Sequence, residues 1–233
     1  GDLLNVFLYL DNEERLIATT LTPLVQVGEF ACLEVAWVNE FGAFLNWGLM
    51  KDLFVPFREQ KMKMQVGKSY VVHAHIDEES YRIVASAKIE RYLSKETPTY
   101  QAGAEVDILI WQKTDLGFKA IIDQQFPGLL YDSEIFQSLR TGMTLKAFVK
   151  QVRPDGKIDL ILQKPGAAKV DDFASSLLDY IKAHGGAVKL NDKTPADDIY
   201  QIFGVSKKTF KKAVGDLYKK HLIVLTDNGL KLA

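Results

Sequence analysis

Apolar and polar residues alternate in short runs over roughly the first two thirds of the chain, and the period changes at Asp171. One arrangement occurs three times. Val6 to Leu10 leads through Asp11-Asn12-Glu13-Glu14 and Arg15 into Leu16-Ile17-Ala18-Thr19-Thr20. Val71 to Ile76 leads through Asp77-Glu78-Glu79-Ser80-Tyr81 and Arg82 into Ile83 to Ala87. Phe148 to Val152 leads through Arg153-Pro154-Asp155-Gly156 and Lys157 into Ile158 to Leu162. Each is a β-rich run, a polar turn, a basic residue and a second β-rich run, which predicts a hairpin. Its recurrence predicts a repeated module. The second and third copies follow long stretches of strand-like sequence, and the first follows almost nothing. Residues 1–23 are therefore expected to be the closing hairpin of a barrel cut short.

The stretch 24–94 reads as one complete module. Ala31 to Val38 alternates, Phe41 to Gly48 is aromatic and punctuated by glycine, and Leu53 to Phe57 is a strand stopped by Pro56. Gly67 opens the hairpin. Five short strands suit a small closed barrel. Ser94 to Thr99 is a linker by composition. Residues 100–165 repeat the plan through Val106 to Gln112, Gly117 to Ile122, Gly128 to Tyr131 and Gly142, and a second linker covers Gln163 to Ala168. From Asp171 the spacing of Phe173, Leu177, Leu178 and Ile181 is helical. Gly185-Gly186 ends that helix. Pro195 starts a second, Ser206 caps a third, and an Asn228-Gly229 turn closes a terminal hairpin. That order, over 170–233, predicts a winged helix. The whole is mainly β with a C-terminal α+β domain.

Composition restricts the partners. A net charge of -1, from 29 Lys and Arg against 30 Asp and Glu, provides no global basic field, so strong non-specific binding to duplex DNA is disfavoured. Any nucleic-acid site must be local. No apolar run is long enough to cross a bilayer, and no membrane partner is expected. The single Cys32 excludes an internal disulfide and fits a reducing compartment, so a cytoplasmic location is expected. No phosphate loop, nucleophile elbow or cysteine cluster occurs. His73, His75 and Asp77 share a strand face, but two strand histidines without further ligands point to structure before metal. No metal, cofactor or enzymatic activity is expected.

Phe41-Gly42-Ala43-Phe44, Gly67, Ile76-Asp77 and Arg82-Ile83-Val84-Ala85-Ser86 resemble the S-one RNA-binding domain, an OB-fold barrel named after the largest protein of the ribosomal small subunit. Tandem S-one repeats followed by a small winged helix resemble the bacterial conserved virulence factor B family. Leu8-Tyr9-Leu10-Asp11, Phe44 to Leu49, Lys51 to Phe57, Gly128 to Tyr131 and Lys157 to Leu160 carry the likeness, which covers nearly the whole chain. The resemblance implies tandem five-stranded OB barrels, single-stranded RNA as partner, and a post-transcriptional regulatory role that extends to virulence in pathogens. Family members carry a complete first repeat, from which the start at Gly1 departs.

OB barrels bind single strands by stacking bases on exposed rings while basic groups follow the phosphates. The S-one platform is two aromatics flanking Gly-Ala, a ring on the third strand, and an Asp and an Arg around the last hairpin. By that resemblance Phe41 and Phe44 form the pair, and Asp77 and Arg82 flank the hairpin. The third-strand place falls on Val55, which cannot stack, and alternation then assigns Phe54 to the core. Trp47 reads either as a ring beside the nucleic acid or as a plug under a loop. In the second module Leu116 and Lys119 replace the aromatic pair, Tyr131 is the third-strand ring, and Arg153 and Lys157 take the Asp and Arg places. That face suits backbone contacts more than bases. Asp11 and Arg15 match the same pair in the first hairpin. In the winged helix Lys207, Lys208, Lys211 and Lys212 point away from a core side made by Phe210, Val214 and Leu217, and offer phosphate contact before base readout.

The expected function is non-enzymatic binding of single-stranded RNA across the barrels, with the lysine helix adding backbone contacts. Duplex nucleic acid or ribosome-associated partners through the winged helix are further expected partners. A DNA-binding transcriptional regulator and a protein-interaction scaffold are the competing readings.

Overall fold

The computed structural model describes residues 3–11, 13–135, 137–163, 168–226 and 229–233. The first hairpin pairs β1 (Phe7–Leu10) with β2 (Leu16–Thr19). The first barrel follows: β3 (Phe30–Val38), β4 (Gly42–Leu45), β5 (Leu53–Pro56), β6 (Ser69–Ile76) and β7 (Ile83–Ser86). It closes in the order β3-β4-β5-β7-β6, with β5 and β7 parallel and the other pairs antiparallel. The second barrel contains β8 (Glu105–Thr114), β9 (Gly117–Ile122), β10 (Phe126–Tyr131), β11 (Thr144–Val152) and β12 (Ile158–Ile161). Its circuit is the same, β8-β9-β10-β12-β11, with β10 and β12 parallel. Two five-stranded OB-type barrels in tandem are therefore present.

The alternating runs fold this way because each strand buries one face against the barrel axis. Val35, Leu45, Leu53, Val55, Val72, Ala74 and Ala85 fill the first core. Ile108, Ile110, Ile122, Leu130, Val149 and Leu160 fill the second. The first strand of each barrel carries a β-bulge, at Ala36 between Val35 and Trp37 and at Trp111 between Ile110 and Gln112. A bulge inserts one residue and re-aims the side chains that follow. In β3 it sends Trp37 outward, although Val35 two residues earlier points in.

A separate apolar cluster joins the barrels. Phe30, Val71, Ile89 and Leu93 of the first meet Leu109, Trp111 and Ile121 of the second. The Gln124 carboxamide accepts from the Phe30 N–H at 2.6 Å and donates to the Phe30 carbonyl at 3.1 Å. Gly142 abuts Cys32, where any Cβ would collide with the thiol.

The C-terminal part has α1 (Ala168–Ala183), β13 (Ala187–Val188), α2 (Ala196–Phe203), α3 (Lys207–Lys219), β14 (Ile223–Thr226) and β15 (Gly229–Leu232), with the three strands ordered β13-β15-β14. Phe173, Leu177, Ile181, Ile199, Phe210 and Leu217 share its core. Ser206 caps α3, its Oγ accepting from the Thr209 N–H at 3.1 Å. This is the winged helix that the spacing predicts, and Tyr200 ties it to the second barrel by donating to Gln137 at 2.8 Å. The Asn228 half of the expected turn, and Lys164 to Ala167 of the second linker, lie outside the described residues.

Candidate nucleic-acid interface

The hairpin β1–β2 lies against the outer face of the first barrel, and a groove of about 840 Å³ runs between them. Leu8, Leu10 and Leu16 line one side, and Trp37, Phe44 and Phe54 line the other. The hairpin is seated by Phe7 and Tyr9, whose rings pack edge-on to Trp47 at 5.7 and 6.4 Å. Lys51 fastens its tip. The ammonium donates to the Leu10 and Asp11 carbonyls at 2.9 and 2.8 Å, and burial lowers its pKa.

Three rings on adjacent strands form a contiguous aromatic surface, with Trp37 and Phe44 stacked and Phe54 tilted by 35° against Phe44. Trp37 lies on Phe44 with centroids 3.8 Å apart and planes 2° from parallel, and Phe44 lies 4.9 Å from Phe54. The strand register builds it: Trp37 opposes Phe44 across β3–β4, and Phe44 opposes Phe54 across β4–β5. The Trp37 indole is oriented by donating to Asp52 at 2.9 Å. Gly42 permits the close approach of β4 to β5, since a Cβ there would strike the Val55 carbonyl and the Phe54 ring. Phe41 is 65% exposed beside the stack, and Trp37 is 45% exposed. Exposed flat ring faces are surfaces on which unstacked bases can stack.

Charges sit around the β6–β7 hairpin, of which Arg82 lines the groove. Asp77 accepts from the Ser80 hydroxyl at 2.7 Å, the Ser80 N–H at 3.0 Å and Arg58 at 2.7 Å, contacts that hold its carboxyl below the usual carboxylate range. Arg82 reaches across to an ion pair with Glu14 of the first hairpin. The three repeated hairpins close alike through a backbone bond. The Asp11 N–H donates to the Arg15 carbonyl at 3.0 Å, that of Asp77 to Arg82 at 2.9 Å, and that of Arg153 to Lys157 at 2.8 Å. The residue before each basic position, Glu14, Tyr81 or Gly156, has a left-handed φ.

Two sequence-based expectations are corrected here. Val55 is fully buried in the barrel, and Phe54 stands outside on the aromatic surface. Alternation in β5 holds, but its phase is set by Leu53 and Val55, the two aliphatic residues that fit the core. Trp47 is 3% exposed, wedged under the hairpin with its N–H donating to the Lys51 carbonyl at 2.5 Å. It is the plug of the two alternatives and presents no free face for stacking. Trp37, which the sequence reading passes over, completes the platform. The only signal for it lies in its neighbourhood to Phe44 once the bulge is known.

The second barrel places Gln112, Lys119 and Leu129 at the register positions of Trp37, Phe44 and Phe54. No ring stack forms from them. Tyr131 and Arg153 are brought together, with the guanidinium 5.7 Å from the ring centre, but Arg153 is also paired with the buried Asp159 at 2.8 Å and hydrogen-bonded to the Tyr131 hydroxyl. Lys157 pairs with Asp155 at 2.8 Å. Much of this basic face is thus already neutralised internally. Leu116 is exposed. On α3, Lys208, Lys211 and Lys212 are exposed and Lys207 half-buried, and none of the four makes a salt bridge among the described residues.

His73 is buried and stacks on Tyr92 at 4.1 Å, and burial pushes its imidazole down to about 4. His75 contacts the Tyr92 hydroxyl at 3.2 Å. Among the described residues no group of three or more His, Cys, Asp and Glu side chains is placed to hold a metal ion. No helix of the described residues is long and apolar enough to cross a membrane.

Family models match the two ends of the chain. The CvfB-like winged helix domain matches residues 175–232, and the S1 domain matches residues 1–21. Protein YitL of Bacillus subtilis is 30% identical over 229 residues, covering 94% of this chain and 76% of its own length. Conserved virulence factor B of several Staphylococcus aureus strains is 22% identical over 96% of this chain and 77% of its own. Among solved structures, a multidomain protein with nucleic acid binding domains from Streptococcus pneumoniae is 26% identical, covers all of this chain and 85% of its own, and superposes with a TM-score of 0.40. With that share of YitL matched and the family's winged helix in place, the chain belongs to the conserved virulence factor B family.

Proposed function

We propose that this protein binds single-stranded nucleic acid, RNA in preference to DNA, in the groove between the first hairpin and the first barrel. The observation that carries the reading is the open aromatic surface of Trp37, Phe44 and Phe54 on the outside of a closed barrel. Bases inserted beside it gain ring contact at about 1–3 kcal/mol each, with no base-specific hydrogen bonding required. Phe41 and Tyr81 extend the apolar rim, and Arg82, which also lines the groove, is available to the sugar-phosphate backbone. The S-one likeness favours RNA. On the same likeness the biological role is post-transcriptional control of gene expression, and the name of the Staphylococcus aureus relatives, conserved virulence factor B, adds virulence as its setting.

A second reading is supported by the four lysines of α3, which make no salt bridges among the described residues and so are available to phosphates of a duplex or a ribosome-associated partner. Fluorescence anisotropy with labelled single-stranded RNA, single-stranded DNA and duplex DNA separates the two. If the groove is the site, single strands bind best and Phe44→Ala weakens them by roughly tenfold. If Phe44→Ala is silent while replacement of Lys207, Lys208, Lys211 and Lys212 by Glu abolishes binding, the winged helix is the site.

A further inference from the structure

The junction of the two barrels holds a pair of cations that the groove does not use. Lys61 leaves the turn that continues β5 beyond Phe54, and Lys119 occupies in β9 the register position that Phe44 holds in β4. They come from different barrels, yet both ammonium groups lie over one ring: 5.8 and 5.4 Å from the centre of Trp111. Trp111 is the bulged residue of β8 and is 9% exposed, held in the apolar cluster between the barrels. The Gln124 clamp on Phe30 and the contact of Gly142 with Cys32 fix the same junction. The spacing of Lys61 and Lys119 is therefore a property of the folded pair of barrels and of neither barrel alone.

One anion is already present. Glu90 pairs with Lys61 at 2.6 Å. Lys119 makes no salt bridge among the described residues, so two ammonium groups face one carboxylate. An ammonium resting on an indole face is positioned while its outward N–H donors stay open. The ring beneath is covered and cannot stack a base. A site of paired, fixed ammonium donors over a covered ring suits a phosphodiester.

We propose that this junction binds the backbone phosphates of the same strand whose bases occupy the groove, so that one nucleic acid crosses both barrels. The inference rests on the groove reading, and β5 connects the two places: Phe54 lies in the groove and the turn after the strand leads to Lys61. Only a strand long enough to leave the groove reaches the junction.

The test is length dependence. Tetrauridylate and dodecauridylate, within the span of short and long OB-barrel sites, are titrated against the full chain and against Lys61→Gln/Lys119→Gln over a range of salt. The expected result is that the double variant weakens dodecauridylate by roughly tenfold and leaves tetrauridylate within about twofold. The slope of log affinity against log salt for the longer strand should fall by about 1.4, at about 0.7 for each phosphate no longer neutralised. Equal weakening for both lengths, or a longer strand that binds the wild type no better than the short one, overturns the junction while leaving the groove intact. If Phe54→Ala leaves tetrauridylate binding unchanged, the groove reading fails first. Thermal melts of the double variant confirm that the barrels stay joined.

Discussion

The two barrels share a strand circuit, a parallel closing pair and a bulge in the first strand, yet their outer faces have opposite chemistry. Where the first presents Trp37, Phe44 and Phe54, the second presents Gln112, Lys119 and Leu129. Where the first leaves a groove open, the second ties Arg153 to Asp159 and Tyr131. The inward residues stay aliphatic in both because the barrel core admits little else. The outward residues are free of that constraint, so a duplicated fold keeps its core and changes its ligand face.

The largest effect should fall on both barrels alike. Leu45→Ala in the first core and Leu130→Ala in the second each remove a side chain that is fully buried. Each should cost about 3–4 kcal/mol of stability, transfer plus cavity, in urea unfolding. A much smaller loss in one would show that its core relaxes where the other does not, and the claim of equivalent cores would fall.

Acid should separate the barrels next. His73 opposes Phe30 at the start of the first barrel, and the matching register position in the second is Phe148, opposite Glu105. The folded imidazole titrates near 4, below its ordinary value near 6.5. The unfolded chain therefore binds more protons between those values, and stability falls as pH drops through that window. The stabilisation is complete above about pH 6.5, and about 3 kcal/mol is lost by pH 4. His75, Tyr92 and Phe30 surround the ring, and none supplies a compensating anion. Comparing unfolding at pH 7 and near pH 4 for wild type and His73→Phe isolates this contribution. If both lose the same stability on acidification, His73 is not its source.

The ligand faces should then differ in binding. Phe54→Ala is expected to weaken a single strand by about 1–3 kcal/mol, roughly 5- to 150-fold. Leu129→Ala at the equivalent position should leave affinity within about twofold. Anisotropy titration reads both, and a larger loss at Leu129 would move the stacking site to the second barrel.

These contrasts also show how much the residues disclose by themselves. The three hairpins are legible because the polar turn with a basic residue after it recurs in register, and all three close with the same backbone bond. The barrels and the winged helix are legible for the same reason, since period and punctuation follow from burial. The platform is only partly so. Phe41 and Phe44 line the groove, but a bulge at Ala36 breaks the alternation that would have placed Trp37 inside, and no residue type announces a bulge. Phe54 is misassigned because the likeness puts the ligand face on Val55, one residue away. In a strand a one-residue error exchanges faces. Trp47 cannot be placed without knowing that the first hairpin covers it. The Lys61–Trp111–Lys119 junction cannot be read at all, since its members meet only when separate barrels pack.

The smallest expected effect has the opposite sign. In the first barrel the Arg that follows the repeated turn, Arg82, is paired with Glu14 of the neighbouring hairpin, whereas the Arg that precedes the turn in the second, Arg153, is held by Asp159 of its own barrel. Glu14 is exposed, its side chain 63% accessible, and Asp159 is buried at 5%. An exposed pair is held by at most about 1 kcal/mol, so a phosphate arriving at the groove can displace Glu14 and take Arg82. Removing the competitor should then help binding. Glu14→Gln is expected to strengthen single-stranded RNA about threefold at low salt, with the gain fading as salt rises. Asp159→Asn should instead destabilise the second barrel, since it leaves Arg153 without its buried partner. If Glu14→Gln weakens binding, Glu14 positions Arg82 for the ligand instead of masking it, and the hairpin is part of the site and not a competitor for it.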